Sequence, residues 1–174
     1  FYRKNPFCGG YSVVAGLAHV VEFIKKFKFT EEDIQYLRSL GMFEESFLSY
    51  LMSFRFTGDI YAMPEGTIAF PGEVLLRFHG TTMEAMLIET GLSMIMNHES
   101  LTATKARRIR TVAPYDTLME FGLRRAQGYS AGLWGARSAM IGGFNGTSNV
   151  EAGKTFHIPV LGTMAHSWVM SFDH

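Results

Sequence analysis

Ile158-Pro159-Val160-Leu161-Gly162-Thr163-Met164-Ala165-His166-Ser167-Trp168-Val169 is a short apolar run, a glycine bend and a helix start in succession. Val160 and Leu161 read as a buried strand, Gly162-Thr163 as the bend, and Ala165 onward as the start of a helix. His166 therefore stands where a strand hands over to a helix. Its imidazole, with an ordinary pKa of about 6.5, is mostly uncharged near neutral pH and can serve as base, ligand or nucleophile. The plainer reading is a packed, hydrogen-bonded histidine beside an aromatic, and the rest of the chain has to choose between them.

Two similar units precede this one. Thr117-Leu118-Met119-Glu120-Phe121-Gly122 is strand-like, with Arg124 and Arg125 at its far end and a helical stretch over residues 130–140. Gly142-Gly143-Phe144 then leads into Asn145-Gly146-Thr147-Ser148-Asn149, whose hydroxyls and amides suit the cap of a helix over residues 150–156. Each unit is an extended run, a polar tip and a helix. Such alternation predicts parallel strands with right-handed helical crossovers, in a barrel or an open α/β sheet. The carboxyl ends of the strands then converge, which brings Arg124, Arg125, Thr147, Ser148 and His166 to one pocket.

That set has a chemical logic. Arginine offers a planar fork of donors for phosphate or carboxylate, and glycine with hydroxyls at a helix start makes a small anion site. A neutral histidine beside it can accept a phosphoryl group or move a proton. The competing reading pairs Arg124 and Arg125 with Glu120 or other carboxylates and leaves Thr147 and Ser148 as caps.

The N-terminal part has a different character. Val13, Val14, Leu17, Val20, Val21 and Ile24 lie at helical spacing, which predicts an amphipathic helix after Gly9-Gly10, running to Phe29. Thr30 followed by Glu31, Glu32 and Asp33 is an N-cap with acids in the first turn, and Gly41 stops that helix. A third helix covers residues 44–54. Short alternating runs over residues 56–78, separated by Pro-Gly turns, predict a small antiparallel sheet with His79 at the surface. Residues 82–110 keep a helical beat through Met83, Met86, Leu87, Thr90, Met94 and Ile95, with Gly91 a tolerated weak point and the methionines filling the core. His98 and Glu99 are adjacent, point apart on a helix and make no metal pair, so no metal site is expected.

Composition sets outer bounds. The 174 residues suffice for one well-cored domain or pieces of two, and 47% apolar with 18% charged content excludes a disordered tail. Sixteen basic and 16 acidic residues cancel, so no global field draws nucleic acid or an anionic membrane. The one basic cluster, Lys105, Arg107, Arg108 and Arg110, complements the dipole at a helix end. A lone Cys8 permits no internal disulfide and points to a reducing compartment, while the apolar runs are too short to span a bilayer. The expectation is a cytoplasmic protein. Phe1 in place of a start methionine, Phe1-Tyr2 as a strand already under way, and Asp173-His174 just after a helix has begun read as the ends of a fragment.

Arg3-Lys4-Asn5-Pro6-Phe7 with Gly9-Gly10-Tyr11, Phe54-Arg55-Phe56-Thr57-Gly58-Asp59, Glu120-Phe121-Gly122-Leu123-Arg124-Arg125-Ala126-Gln127-Gly128, Gly146-Thr147-Ser148-Asn149-Val150, and Gly162-Thr163-Met164-Ala165-His166-Ser167-Trp168 together resemble the nicotinate phosphoribosyltransferase family, from end to end and in order. The resemblance implies an α/β protein with an α+β N-terminal domain over residues 1–114. Residues 115–174 would be the beginning of an incomplete α/β barrel of the type II phosphoribosyltransferase kind. It implies a homodimer with sites at the subunit interface, and an enzyme that joins nicotinate to 5-phosphoribosyl 1-pyrophosphate in the first step of NAD salvage. ATP hydrolysis would be coupled through phosphorylation of His166, with Mg2+ on the pyrophosphate substrate. Phe121 and Arg124 would lie near the pyridine ring and ribose phosphates, and Ser148 would reach the ring's substituent. A neutral hydroxyl there avoids repelling a carboxylate, where nicotinamide-using relatives carry an acid.

Two departures stand out: Asn145 where the family commonly has an acid, and Tyr129-Ser130 in place of Pro-Asp. The family's N-terminal aromatic segment and the rest of the barrel have no counterpart here, so the resemblance implies that this stretch is inactive alone. The alternatives are a phosphoribosyltransferase for nicotinamide or another ring, and a non-catalytic module that binds phosphate or nucleotide.

Overall fold

A computed structural model describes residues 3–5 and 9–172, so the expectations at Phe1-Tyr2, Pro6-Phe7, Cys8 and Asp173-His174 lie outside the described residues. The elements run β1 (Ser12–Val13), α1 (Leu17–Lys26), α2 (Glu31–Ser39), α3 (Glu45–Ser53), β2 (Asp59–Ala62), β3 (Ile68–Ala69), β4 (Leu76–His79) and α4 (Thr82–Val112). After these come β5 (Met119–Glu120), a 3-10 turn at Leu123–Arg125, α5 (Tyr129–Ile141), β6 (Gly146–Thr147), α6 (Val150–Phe156) and α7 (His166–Val169). This is the expected mixture of helix and sheet, with no closed barrel among the described residues.

The 31-residue α4 is the spine. One stripe of it, through Ile88, Leu92, Ile95 and Met96, packs with Val14, Val20, Phe54 and Ala69 into the main core. Phe27 meets both Phe29 and Phe54 edge-on at 5.6 Å. Fully burying an aliphatic chain such as Ile88 contributes about 1.5–3 kcal/mol. Gly91 is more than a weak point: a β-carbon there would lie 2.4 Å from Phe23 Cζ, so its bare backbone forms the notch that receives α1. The pair α2 and α3 closes over Ile34, Leu48 and Leu51. Thr30 starts α2 as expected, in a reciprocal capping box with Asp33.

Three expectations are corrected. The first helix does not begin near Gly10: Ser12 and Val13 pair antiparallel with Ala69 and Ile68, and Gly16 turns the chain at φ 109° into α1. Val13 and Val14 are both buried, because this extended segment has protein on both faces, and a run of apolar residues at that spacing mimics a helical stripe. Its backbone is held by α4, since Thr104 Oγ1 accepts from Val13 N at 2.8 Å and Ser100 Oγ from Ala15 N at 3.2 Å.

The expected small sheet is two ladders. β2 pairs antiparallel with β4, from Asp59↔His79 to Ala62↔Leu76, while β3 leaves for β1. His79 is exposed, as expected. Last, Met83, Met86 and Met94 do not fill the core: they are 42%, 73% and 66% exposed.

Glu84 fixes the start of α4. Its carboxylate accepts from Thr81 N and Oγ1 at 2.8 and 3.0 Å, closing a capping box, and from Thr57 N and Oγ1 at 2.7 and 2.9 Å. Those donors, the backbone amides of Thr81 and Thr57 foremost, hold its pKa at about 2. A depressed folded pKa means that this contribution is present above the ordinary carboxylate range and is lost as pH falls toward about 2. Glu84→Gln is expected to lower stability at pH 7 by about 1–3 kcal/mol in urea unfolding, and to remove that part of the acid-induced loss.

Candidate active site

β5 and β6 run parallel, with Met119 opposite Gly146 and Glu120 opposite Thr147, and Val160 bridges Thr147 in parallel from the other side. The hydrogen bonds step across in order: Asn145 N donates to Leu118 O, Ser148 N to Glu120 O, Thr147 N to Pro159 O and Leu161 N to Thr147 O, at 2.8–3.0 Å. With α5 and α6 as crossovers this follows the predicted alternation, except that Val160, expected in a buried strand, makes only a single bridge and is 47% exposed. The two strands and the bridging segment at Val160 therefore end at one edge, and the segments that follow them carry Phe121, Arg124 and Arg125; Ser148; and His166.

Beneath that edge lies a closed polar network. Thr147 is fully buried; its Oγ1 donates to Glu120 Oε2 at 2.7 Å and accepts from Asn149 N at 3.0 Å. The other carboxylate oxygen of Glu120 accepts from Gly122 N, bending the chain into the Leu123–Arg125 turn. Asn149 caps α6 by accepting from Ala152 N at 3.1 Å, and its amide donates to Gly132 O at 3.3 Å. Thr147 thus builds the loop from inside, with its hydroxyl engaged there.

At the surface the candidate side chains lack side-chain partners among the described residues. Arg124 and Arg125 are exposed, and neither pairs with a carboxylate among the described residues. The alternative partner, Glu120, is occupied by Thr147 and Gly122. Phe121 is 40% exposed, Ser148 is half-buried, and His166 is exposed on the first residue of α7. Tyr129, one of the unusual residues, opens α5 and is 72% exposed.

The other unusual residue, Asn145, is structural. Its Oδ1 accepts from Arg110 Nη2 at 2.6 Å and from Leu118 N at 2.9 Å. Arg110 also donates to the carbonyls of Gly143, Ala113, Pro114 and Asp116, sewing the end of α4 to the loops that enter β5 and β6. A charge expected only to complement a helix dipole is in fact the clasp of this joint.

The sequence reading also missed a second polar layer. Arg137 of α5 makes a bidentate pair with Glu65 at 2.9 and 2.7 Å, and Glu65 accepts from Gly16 N at 2.8 Å. Glu99, to which no chemistry was assigned, is fully buried, with His19 Nδ1 at 2.7 Å from its Oε1. An arginine in the otherwise small and apolar helix after Gly128 was the available signal for the first; for the second there was none.

An α+β layer leading into parallel βα units, with guanidinium groups, a hydroxyl and an imidazole on the segments that follow the strand ends, defines an α/β protein whose candidate site carries groups of a kind that suits anions. Comparison with known proteins narrows this. Residues 1–97 match the nicotinate phosphoribosyltransferase N-terminal domain and residues 117–174 match the nicotinate phosphoribosyltransferase family. The Bacillus subtilis nicotinate phosphoribosyltransferase is 47% identical over 172 residues, covering 99% of this chain and 35% of the relative. The crystal structure of human nicotinic acid phosphoribosyltransferase superposes with a TM-score of 0.92 at 40% identity, over 99% of this chain and 35% of that one. A nicotinate-nucleotide pyrophosphorylase from Pyrococcus furiosus shares the fold, with a TM-score of 0.75 at 24% identity over 98% of this chain and 36% of that one. The chain belongs to the nicotinate phosphoribosyltransferase family and spans about a third of the length of these relatives.

Thr147→Val is expected to lower stability by about 1–3 kcal/mol, because it leaves Glu120 Oε2 and Asn149 N without their partner. Thr147→Ser keeps the hydroxyl and should recover most of that loss; urea midpoints of the two variants compare them directly.

Proposed function

We propose that this chain carries part of the active site of a nicotinate phosphoribosyltransferase that joins nicotinate to 5-phosphoribosyl 1-pyrophosphate, giving nicotinate mononucleotide and pyrophosphate. The observation that carries the reading is the parallel edge, which gathers the segments bearing Arg124, Ser148 and His166 in a chain of this family. Residues 1–114 act as the α+β domain and 115–174 as the first βα units of a barrel. The working enzyme is a cytoplasmic homodimer with its sites at the subunit interface, and the isolated chain lacks turnover.

In this reading Arg124 and Arg125 hold the substrate phosphates through charge-assisted hydrogen bonds. Phe121 supplies an aromatic face for the pyridine ring, and the neutral Ser148 accommodates its carboxylate without repulsion. Thr147 acts through the loop it supports. The ring nitrogen attacks the anomeric carbon as the bond to pyrophosphate breaks, and the arginines stabilise the charge on the departing group.

His166 couples ATP: an imidazole nitrogen takes the γ-phosphoryl group, ADP leaves, and water later cleaves the phosphorus–nitrogen bond. While phosphorylated, His166 adds charge and acceptor oxygens beside the substrate pyrophosphate. Mg2+ would come with the ribosyl substrate, since it is commonly bound through phosphate oxygens.

The test uses the longest polypeptide carrying this sequence, incubated with γ-labelled ATP. Acid-labile label that requires His166 and is discharged by nicotinate with the ribosyl substrate is expected; Arg124→Ala should lower kcat/KM by about 100-fold or more, a loss of roughly 3 kcal/mol of transition-state stabilisation. Absence of label in a folded, ATP-binding protein would overturn the coupling. Turnover of nicotinamide in preference to nicotinate would overturn the role of Ser148.

A further inference from the structure

Glu99 sits in the middle of α4 with its carboxyl group fully buried. It has two polar contacts: His19 Nδ1 of α1 at 2.7 Å and Ser138 Oγ of α5 at 3.4 Å. The nearby cation, Arg137, already directs its fork into Glu65. Among the described residues the carboxyl therefore has no arginine or lysine counter-ion of its own. His19 lies flat on Trp134 of α5, with ring centres 4.0 Å apart and planes 5° from parallel. It also lines a cavity of about 280 Å³ with Glu22, Lys26 and Lys28, so a proton can reach Glu99 from that side through the imidazole.

What this cluster holds in place is α5. Ser138 and Trp134 contact it directly, and His98, the neighbour of Glu99, sits with Nε2 at 3.2 Å from Ala131 O in the first turn of α5. That turn also receives the Asn149 amide at Gly132 O, and it follows the Leu123–Arg125 turn after three residues. The segment carrying the arginines thus leads into the first turn of α5, which His98 contacts, while Glu99 and His19 hold the same helix further along at Ser138 and Trp134.

We propose that Glu99 and His19 form a one-proton positioning pair that fixes α5, and with it the arginine turn, against α4. The proposal rests on the anion-binding reading of that turn. The proton resides on the Glu99 carboxyl, which donates to the neutral Nδ1 of His19, and its departure leaves a bare carboxylate inside the α1–α4–α5 junction.

Charges around the pair agree with this protonation. Burial raises the Glu99 pKa to about 8, with Arg137 opposing and Glu65 and Ser138 adding smaller effects. Burial lowers that of His19, opposed by Glu22 and assisted by His98 and Lys26. Both shifts favour the uncharged forms, which suits a short contact between a carboxylic acid and an imidazole. For Glu99 the folded state binds the proton more tightly than the unfolded chain, so its contribution is complete at low pH and is lost as pH rises toward about 8. For His19 the opposite trend ends at its unfolded pKa, about 6.5, so between there and pH 8 only the Glu99 trend acts.

The test is carbon-13 NMR of the Glu99 carboxyl, with urea unfolding and binding of inorganic pyrophosphate measured from pH 6.5 to 8. Glu99→Gln mimics the protonated acid. The wild-type carboxyl should titrate near 8, its folded-to-unfolded ratio should fall by up to about tenfold per pH unit, and Glu99→Gln should flatten that slope. Pyrophosphate affinity should fall severalfold more in the wild type than in Glu99→Gln, a comparison that cancels the ionisation of pyrophosphate itself. A carboxyl titrating in the ordinary range, or a slope retained in Glu99→Gln, would overturn the pair. If the carboxyl behaves as expected but pyrophosphate binds at no pH, the positioning step and the anion reading fail together while the one-proton pair stands.

Discussion

A β-carbon on Gly142 would lie 2.5 Å from the carbonyl oxygen of Ala103 and 2.4 Å from the β-carbon of Ala106. The end of α5 therefore approaches the backbone of α4 at a distance that only small residues permit. That approach sets where the first parallel unit stands relative to the N-terminal layer. Arg137 and Glu65 fasten the same helix to the start of α1 through Gly16, and Arg110 fastens the loops on either side of it to the end of α4. The functional edge is thus placed by contacts made well away from it. Any account of its chemistry has to include α4, which carries no residue of the edge itself.

The parallel units were legible because each repeats the same local grammar: an extended apolar run, a polar tip, then a capped helix. Asn149 caps α6 and Thr30 caps α2 through local interactions that sequence can express. Other features were hidden for reasons that are equally physical. Val13 and Val14 lie in an extended segment buried on both faces, where the two-residue period of a strand disappears. The exposed methionines of α4 share a helical beat with its buried stripe, and periodicity alone does not say which stripe faces the core. Glu99 with His19, and Arg137 with Glu65, are each joined across about 70–80 positions, which only the folded chain brings together.

The electrostatics of the edge follow from where Glu120 directs its carboxylate. It is the acid nearest in sequence to Arg124 and Arg125, and an exposed pairing with them would contribute little stability. Instead it bonds to a buried threonine hydroxyl and to the Gly122 amide, and the loss of the carboxylate would leave the Thr147 hydroxyl without its acceptor in the interior. The network is therefore the stronger claimant on Glu120. The arginines are left without an internal partner, which is the condition under which guanidinium groups are available to an external anion.

The same reasoning bears on the two readings of His166. A histidine next to an aromatic is usually packed on it, and Trp168 is the adjacent ring in sequence. Yet Trp168 meets Phe172 edge-on at 4.9 Å, while the His166 imidazole has neither a ring contact nor a side-chain hydrogen bond among the described residues. His19 and His98, by contrast, have a ring nitrogen engaged within the fold. A nucleophilic or phosphate-accepting imidazole needs a nitrogen that the fold has not already taken. Of these three histidines His166 alone has no hydrogen bond to either ring nitrogen among the described residues, and it stands at the strand end where the arginines also emerge.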